Sequence, residues 1–239
     1  AEVSSDTPVV LMLHGFASSR DEVGNMYLDE AAALAELGIA SLRIDFPGSG
    51  DSLQGTLDLT YDTMNADAVR AYDWLAAGDA GHAFAAIGAL GFSMGGHAVA
   101  SLVAERPDVT AVALWNGSVE DHTGREIPAE ATADGHVLRD LGFTMWDSSL
   151  AFYESQVDST ALTDLSEFTG PVLVVSGTED TTVPPTVADA VVAALETNGN
   201  ETVTRLDVDG ADHIFLVLTA DQAPSRQAIA DTAAWFADN

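Results

Sequence analysis

The stretch Leu90-Gly91-Phe92-Ser93-Met94-Gly95-Gly96 decides how this chain is read. An apolar run, Ala85 to Leu90, leads into it, and a helix-like run, His97 to Glu105, leads out. A serine flanked by glycines at a strand-to-helix junction has the form G-x-S-x-G, a sharp turn that stands the hydroxyl clear of a sheet. Such a turn strains the serine backbone, so its neighbours must be small enough for strand and helix to approach. The new helix also aims its positive N-terminal end at whatever reacts with the hydroxyl. An ordinary glycine-rich βα turn fits the same five residues. The pattern acquires meaning only if the chain elsewhere supplies a base, an acid and fixed N–H donors.

Outward from that turn, strands and helices alternate. Pro8 to Leu13 is a continuous apolar run of the kind that forms a buried parallel strand, and it ends at His14-Gly15-Phe16. Helical spacing covers Leu28 to Leu37 and stops at Gly38. Ile39 to Ile44 is a second strand, closing on the turn-rich loop Asp45 to Ser52, and a helix follows over about Tyr61 to Ala77. Thr110 to Trp115, Pro171 to Ser176 and Thr202 to Val208 complete six strands. Helices are predicted over about Pro185 to Leu195 and Pro224 to Ala237. The expected fold class is α/β, a mainly parallel sheet of about six strands flanked by helices. Residues 1–239 are expected to form a single domain. Only Asn116 to Ser166 breaks the alternation; it is expected to be an inserted cap or lid of short helices and loops, with an aromatic cluster at Phe143, Met145, Trp146, Phe152 and Tyr153.

Composition bounds the function. Of 239 residues 47% are hydrophobic, enough for a sizeable core, and no apolar run approaches the ~18 residues of a membrane span. The polar start, Ala1 to Pro8, is not expected to be a signal peptide, and without an initiator Met a processed or trimmed chain is expected. The absence of cysteine excludes disulfides and a thiol nucleophile. Acidic residues number 38 against 8 basic ones, all Arg, for a net charge of −30. That balance argues against nucleic-acid and anionic-membrane partners. The acids are spread along the chain, and no calcium-loop pattern occurs, so adaptation to high salt is the expected explanation. The cytoplasm of a salt-accumulating organism is the expected compartment ahead of secretion.

In open α/β sheets functional groups gather at the carboxyl ends of strands. Ser93 follows the third strand, Asp180 the fifth and His213 the sixth, while His14-Gly15-Phe16 follows the first. A neutral hydroxyl needs an adjacent base to become a nucleophile; His213 has the right intrinsic pKa, and Asp180 would orient it. The backbone N–H groups of Met94 and Phe16 are the expected oxyanion donors. Glu179 competes with Asp180 in the same loop, and Asp212 is expected to be a solvated charge. His14 is expected to be structural and His97 to pack on the helix after the turn. His82, His122 and His136 show no paired metal spacing, so neither metal nor cofactor is expected. Trp146, Phe143 and Met145 are candidate substrate contacts.

These pieces resemble the α/β-hydrolase superfamily. The matching segments are Leu13 to Phe16, Arg43 to Ser52, Gly91 to Gly96, Gly177 to Pro184 and Gly210 to His213. The H-G-F opening with its D-F-x-G-x-G-x-S loop is most similar to the feruloyl (cinnamoyl) esterases. That resemblance implies an oxyanion hole at Phe16 and Met94, an acid at Asp180 and a compact cap shaping the acyl pocket. The group usually carries an antiparallel hairpin ahead of its first strand, where this chain has seven residues. The resemblance implies a carboxylesterase acting through an acyl-enzyme on small to medium esters, with feruloyl esters as one substrate class. Lipase, thioesterase, polyesterase, peptidase and perhydrolase chemistry on the same three residues stay open, as does a silent hydrolase-fold binding protein. The small-molecule ester is the only partner implied.

Overall fold

Successive residues of a strand face opposite sides of its sheet, and the run Val9–Leu13 (β1) is apolar on both, so it needs cover on both. The computed structural model, which describes residues 3–84 and 86–239, provides that cover. Ala85, at the start of the third predicted strand, and Ala1 and Glu2 lie outside the described residues. Val9, Leu11 and Leu13 join one core with helices Tyr61–Ala77 (α2) and Met94–Glu105 (α3), while Val10 and Met12 join another with Met26–Glu36 (α1) and Ala223–Asp238 (α8).

Six strands form one parallel sheet: β1, Ala40–Arg43 (β2), Ile87–Phe92 (β3), Val112–Trp115 (β4), Val172–Gly177 (β7) and Val203–Val208 (β8), in the order β2-β1-β3-β4-β7-β8. All six predicted strands are present. Because every pairing is parallel, all carboxyl ends lie along one edge. The chain builds outward from β1 to β2, then returns to place β3 on the other side of β1. That reversal opens a crevice between the ends of β1 and β3, beside Leu13 and Gly91, which pair in register. Helix Pro185–Thr197 (α7) joins β7 to β8.

Between β4 and β7 the chain leaves the sheet. It forms helices Ala129–Asp134 (α4), Leu150–Glu154 (α5) and Ala161–Ser166 (α6), and also an antiparallel hairpin of His136–Asp140 (β5) and Met145–Ser149 (β6). The hairpin corrects the expectation of helices and loops only. Its turn is Gly142-Phe143, closed by the Leu141 N–H on the Thr144 carbonyl at 2.9 Å, with Gly142 at φ 83°. A glycine at the first central position is what a two-residue hairpin turn selects. The segment is tied down at the start of α2, where the Ser155 hydroxyl accepts from the Tyr61 N–H at 2.9 Å.

Candidate active site

Ser93 sits at φ 51°, ψ −120°, between the last residue of β3 and the first of α3. This backbone conformation is costly for a non-glycine residue and persists only where its surroundings enforce it. The enforcement is visible at the flanking glycines. A Cβ on Gly95 would lie 1.9 Å from the Leu13 carbonyl oxygen, and one on Gly91 would lie 2.4 Å from the Gly95 oxygen. Hydrogen bonds from the Ser93 N–H to the Trp115 carbonyl (3.0 Å) and from the Ser118 N–H to the Ser93 carbonyl (2.8 Å) hold the turn to the end of β4.

Ser93 Oγ lies 3.0 Å from His213 Nε2, and His213 Nδ1 lies 2.7 Å from Asp180 Oδ2. The structure therefore brings together the three residues that order along the chain singled out. Asp180 is buried, and its other oxygen accepts from the N–H groups of Thr182 (2.7 Å) and Val183 (2.9 Å). An acceptor so held keeps Nδ1 of His213 as the donor and leaves Nε2 facing the serine. Glu179 is exposed, and Asp212 spends its carboxylate on the N–H groups of Ile214 and Leu216, so neither competes.

The loop after β1 lies against the serine: a Cβ on Gly15 would come 3.3 Å from Ser93 Cβ. The N–H groups of Phe16 and Met94 donate to no backbone carbonyl among the described residues, and both residues line a cavity shared with Ser93. His14 is structural. It is buried; Nδ1 donates to the Gly15 carbonyl at 2.7 Å and Nε2 accepts from the Phe46 N–H at 3.0 Å, joining the loops after β1 and β2. Burial lowers its pKa to about 4, so it stays neutral near pH 7. His97 is buried as well and lowered to about 4 by desolvation; it stacks on Tyr61 with ring centroids 3.9 Å apart.

Two residues that organise the site had no signal in the sequence. Glu22 is buried, at φ 60°, and its carboxylate accepts from the N–H of Gly15 (2.7 Å), the N–H of Val23 (2.8 Å) and the Ser18 hydroxyl. Burial raises its pKa while those three donors lower it, and the net direction is up. Asn116, at φ 43°, reaches from the end of β4 to both the end of β7 and the histidine loop.

The cavity beside Ser93 has a volume of about 370 Å³. Phe16 meets Trp146 edge-on at 5.2 Å and stacks on Phe152 at 5.5 Å, forming an aromatic wall between the β1 loop and the insertion. Trp146 lines the cavity. Phe143 and Met145 do not: they are 75% and 56% exposed, one at the hairpin turn and the other on the outer face of β6. Strand pleating accounts for the split, since Met145 and Trp146 are consecutive and must face opposite ways.

A six-stranded parallel sheet with a strained serine turn after its third strand and a histidine loop after its last defines an α/β-hydrolase. Within that class the chain belongs to the prolyl oligopeptidase family, whose model matches residues 26–239. No curated protein matches the sequence. Among solved structures, the chain is similar to Est1E of Butyrivibrio proteoclasticus with ferulic acid bound, at 18% identity and TM-score 0.77, over 98% of this chain and 91% of that one. It is also similar to the monoacylglycerol lipase of Paleococcus ferrophilus, at 17% identity and TM-score 0.75, over 98% and 96% of the two chains. An esterase domain from Rhodothermus marinus follows at 21% identity and TM-score 0.66, over 99% and 89%. No helix among the described residues is long and apolar enough to cross a membrane.

Proposed function

We propose that the protein is a serine ester hydrolase working through an acyl-enzyme. The observation that carries this reading is the unbroken chain from Ser93 Oγ through His213 to the buried Asp180, at 3.0 and 2.7 Å. In the first step His213 Nε2 takes the hydroxyl proton as Ser93 Oγ attacks the ester carbonyl, and Asp180 stabilises the imidazolium that forms. The free N–H groups of Phe16 and Met94 receive the developing oxyanion, with Met94 at the positive end of α3. His213 then gives its proton to the departing alcohol. In the second step water enters, loses a proton to His213 and releases the acid.

The cavity volume suits small to medium esters, and residues 116–166 act as the cap that shapes it. Its wall of Phe16, Trp146 and Phe152 supplies faces on which an aryl acid would stack, and Est1E, a similar fold, has ferulic acid bound. Feruloyl and related aryl esters are therefore the first substrates to assay. The spread of 38 acidic residues supports work at high salt. Family membership favours a second reading, peptide hydrolysis on the same three residues.

The test is a panel of aryl, alkyl and hydroxycinnamate esters of graded acyl length, run beside matched p-nitroanilides with the wild type and Ser93→Ala. The proposal expects short and aryl esters to be cleaved, anilides slowly or not at all, and all turnover to vanish in the variant. Turnover that survives in a folded Ser93→Ala protein refutes the mechanism; faster anilide than ester cleavage replaces it with peptidase action. A rise in rate with long acyl chains would make it a lipase.

A further inference from the structure

The chain carries eight Arg and no Lys among 38 acids, so a cation left without an acid is conspicuous. Arg20, Arg43, Arg70, Arg106 and Arg205 each pair with an Asp. Among the described residues Arg125, Arg139 and Arg226 pair with no carboxylate; Arg226 is exposed on α8, whereas Arg125 and Arg139 both line the cavity that holds Ser93. The pleat of the hairpin fixes Arg139 there. It stands directly opposite Trp146, and Val137 stands opposite Ser148, so these four share the face turned to the cavity; Leu138 and Met145 take the outer one. Arg125 is braced by the His122 ring, 3.3 Å from its Nη1 to Nδ1, and not by an acid.

A second observation points to a polar ligand in the same place. Trp146, in the cavity wall, has a buried indole N–H with no hydrogen-bond partner among the described residues, and the polar side chains of Ser148 and Gln156, each 3% exposed, line the cavity with it. Buried polar groups are seldom left unpaired, because each costs its full desolvation energy until something pairs with it. Glu126 also lines the cavity and, among the described residues, forms no ion pair with an arginine. Two arginines against one glutamate leave a single positive charge in the lining of a protein whose net charge is −30.

We infer that the ester this site takes carries one carboxylate of its own, held by the Arg139 and Arg125 guanidiniums away from the bond that breaks. This rests on the ester-hydrolase reading of Ser93. A guanidinium offers a planar fork that matches a carboxylate with two parallel N–H···O bonds. The single excess positive charge in the lining suits a monoanion better than a phosphate dianion, which the acidic surface would also repel more strongly. A half-ester of a dicarboxylic acid is the simplest substrate of this kind.

The experiment compares mono-p-nitrophenyl glutarate with its methyl-capped neutral counterpart and with an amine-ended analogue, at one ionic strength that keeps the protein folded. The wild type is expected to favour the anion by about tenfold or more in kcat/KM, the scale of a charged hydrogen bond. The ratio should fall towards one in Arg139→Gln and decrease in Arg125→Gln; Arg139→Lys, which keeps charge without the fork, should lie between and covers the case in which Gln does not fold. A wild-type ratio of one or below, a ratio that ignores Arg139, or a preference for the amine (which would point to Glu126) overturns the inference. If no ester is cleaved, the hydrolase reading fails on its own and binding decides this one. Monomethyl glutarate should then bind Ser93→Ala more tightly than dimethyl glutarate in calorimetry, with the difference lost in Arg139→Gln; equal binding, or none, overturns it.

Discussion

Asn116 holds His213 in place: its carboxamide donates to the His213 carbonyl at 2.8 Å while its oxygen accepts from the Gly177 N–H at 2.8 Å. One buried side chain thus fastens the histidine loop to the ends of two central strands. Asparagine suits the position twice over, since it tolerates φ 43° and offers a donor and an acceptor together. Replacing it with Ala strands two buried backbone groups, which costs about 2–4 kcal/mol. Asn116→Ala is expected to lower the melting temperature and to reduce kcat more than it raises KM. Asn116→Gly relieves the backbone and keeps the loss of hydrogen bonds, so most of the kcat defect should remain. A Gly variant with wild-type kcat would show that Asn116 serves the backbone only.

Gly95 tests the turn around Ser93. With a Cβ 1.9 Å from a backbone oxygen, Gly95→Ala must push β1 and α3 apart, and a cost of about 3 kcal/mol or more is expected. Gly210, at φ 68° with nothing within 4 Å of a built Cβ, pays conformational strain alone, about 1 kcal/mol. Denaturant melts of the two variants should rank them in that order.

The alternation of strands and helices, the turn at Ser93 and its Asp and His partners were legible because each rests on a local pattern. Glycine spacing, apolar runs and the order of strand ends need no knowledge of distant contacts. What escaped was non-local. Asn116 finds its partners 61 and 97 positions away, and Glu22 is a loop acid like many others until the fold buries it. The hairpin β5–β6 hid because its strands are short and its outer face keeps Leu138 and Met145 exposed. Composition pointed to the aromatic cluster, and only the pleat could separate Trp146 from its neighbour Met145.

Glu30, on α1, is fully buried, and among the described residues neither carboxylate oxygen has a hydrogen-bond partner. Desolvation raises its pKa well above the usual value of 4.5. The folded state therefore holds a proton that the unfolded chain releases above pH 4.5. The stability tied to that group is whole below 4.5 and is lost as pH rises through the raised folded pKa. Glu30→Gln escapes the penalty, so its stability relative to wild type should grow with pH above about 4.5 and then level off. Melts from pH 4 to pH 8 check the sign; a constant offset across that range would contradict it.

Salt should act on the whole molecule. With a charge of −30, self-repulsion opposes the compact state, and a Debye length of ~3 Å at 1 M removes most of it. The melting temperature is expected to climb between low salt and about 2 M NaCl. A flat or falling curve would mean that the acidic surface serves another end.

The most direct test of Ser93 as an activated nucleophile is labelling with a fluorophosphonate followed by peptide mass mapping. A single adduct on Ser93 is expected, forming quickly in the wild type and far more slowly in His213→Ala, because the hydroxyl then lacks its base. A folded protein that takes no label, takes it on another residue, or takes it on Ser93 at the same rate without His213 would contradict the mechanism.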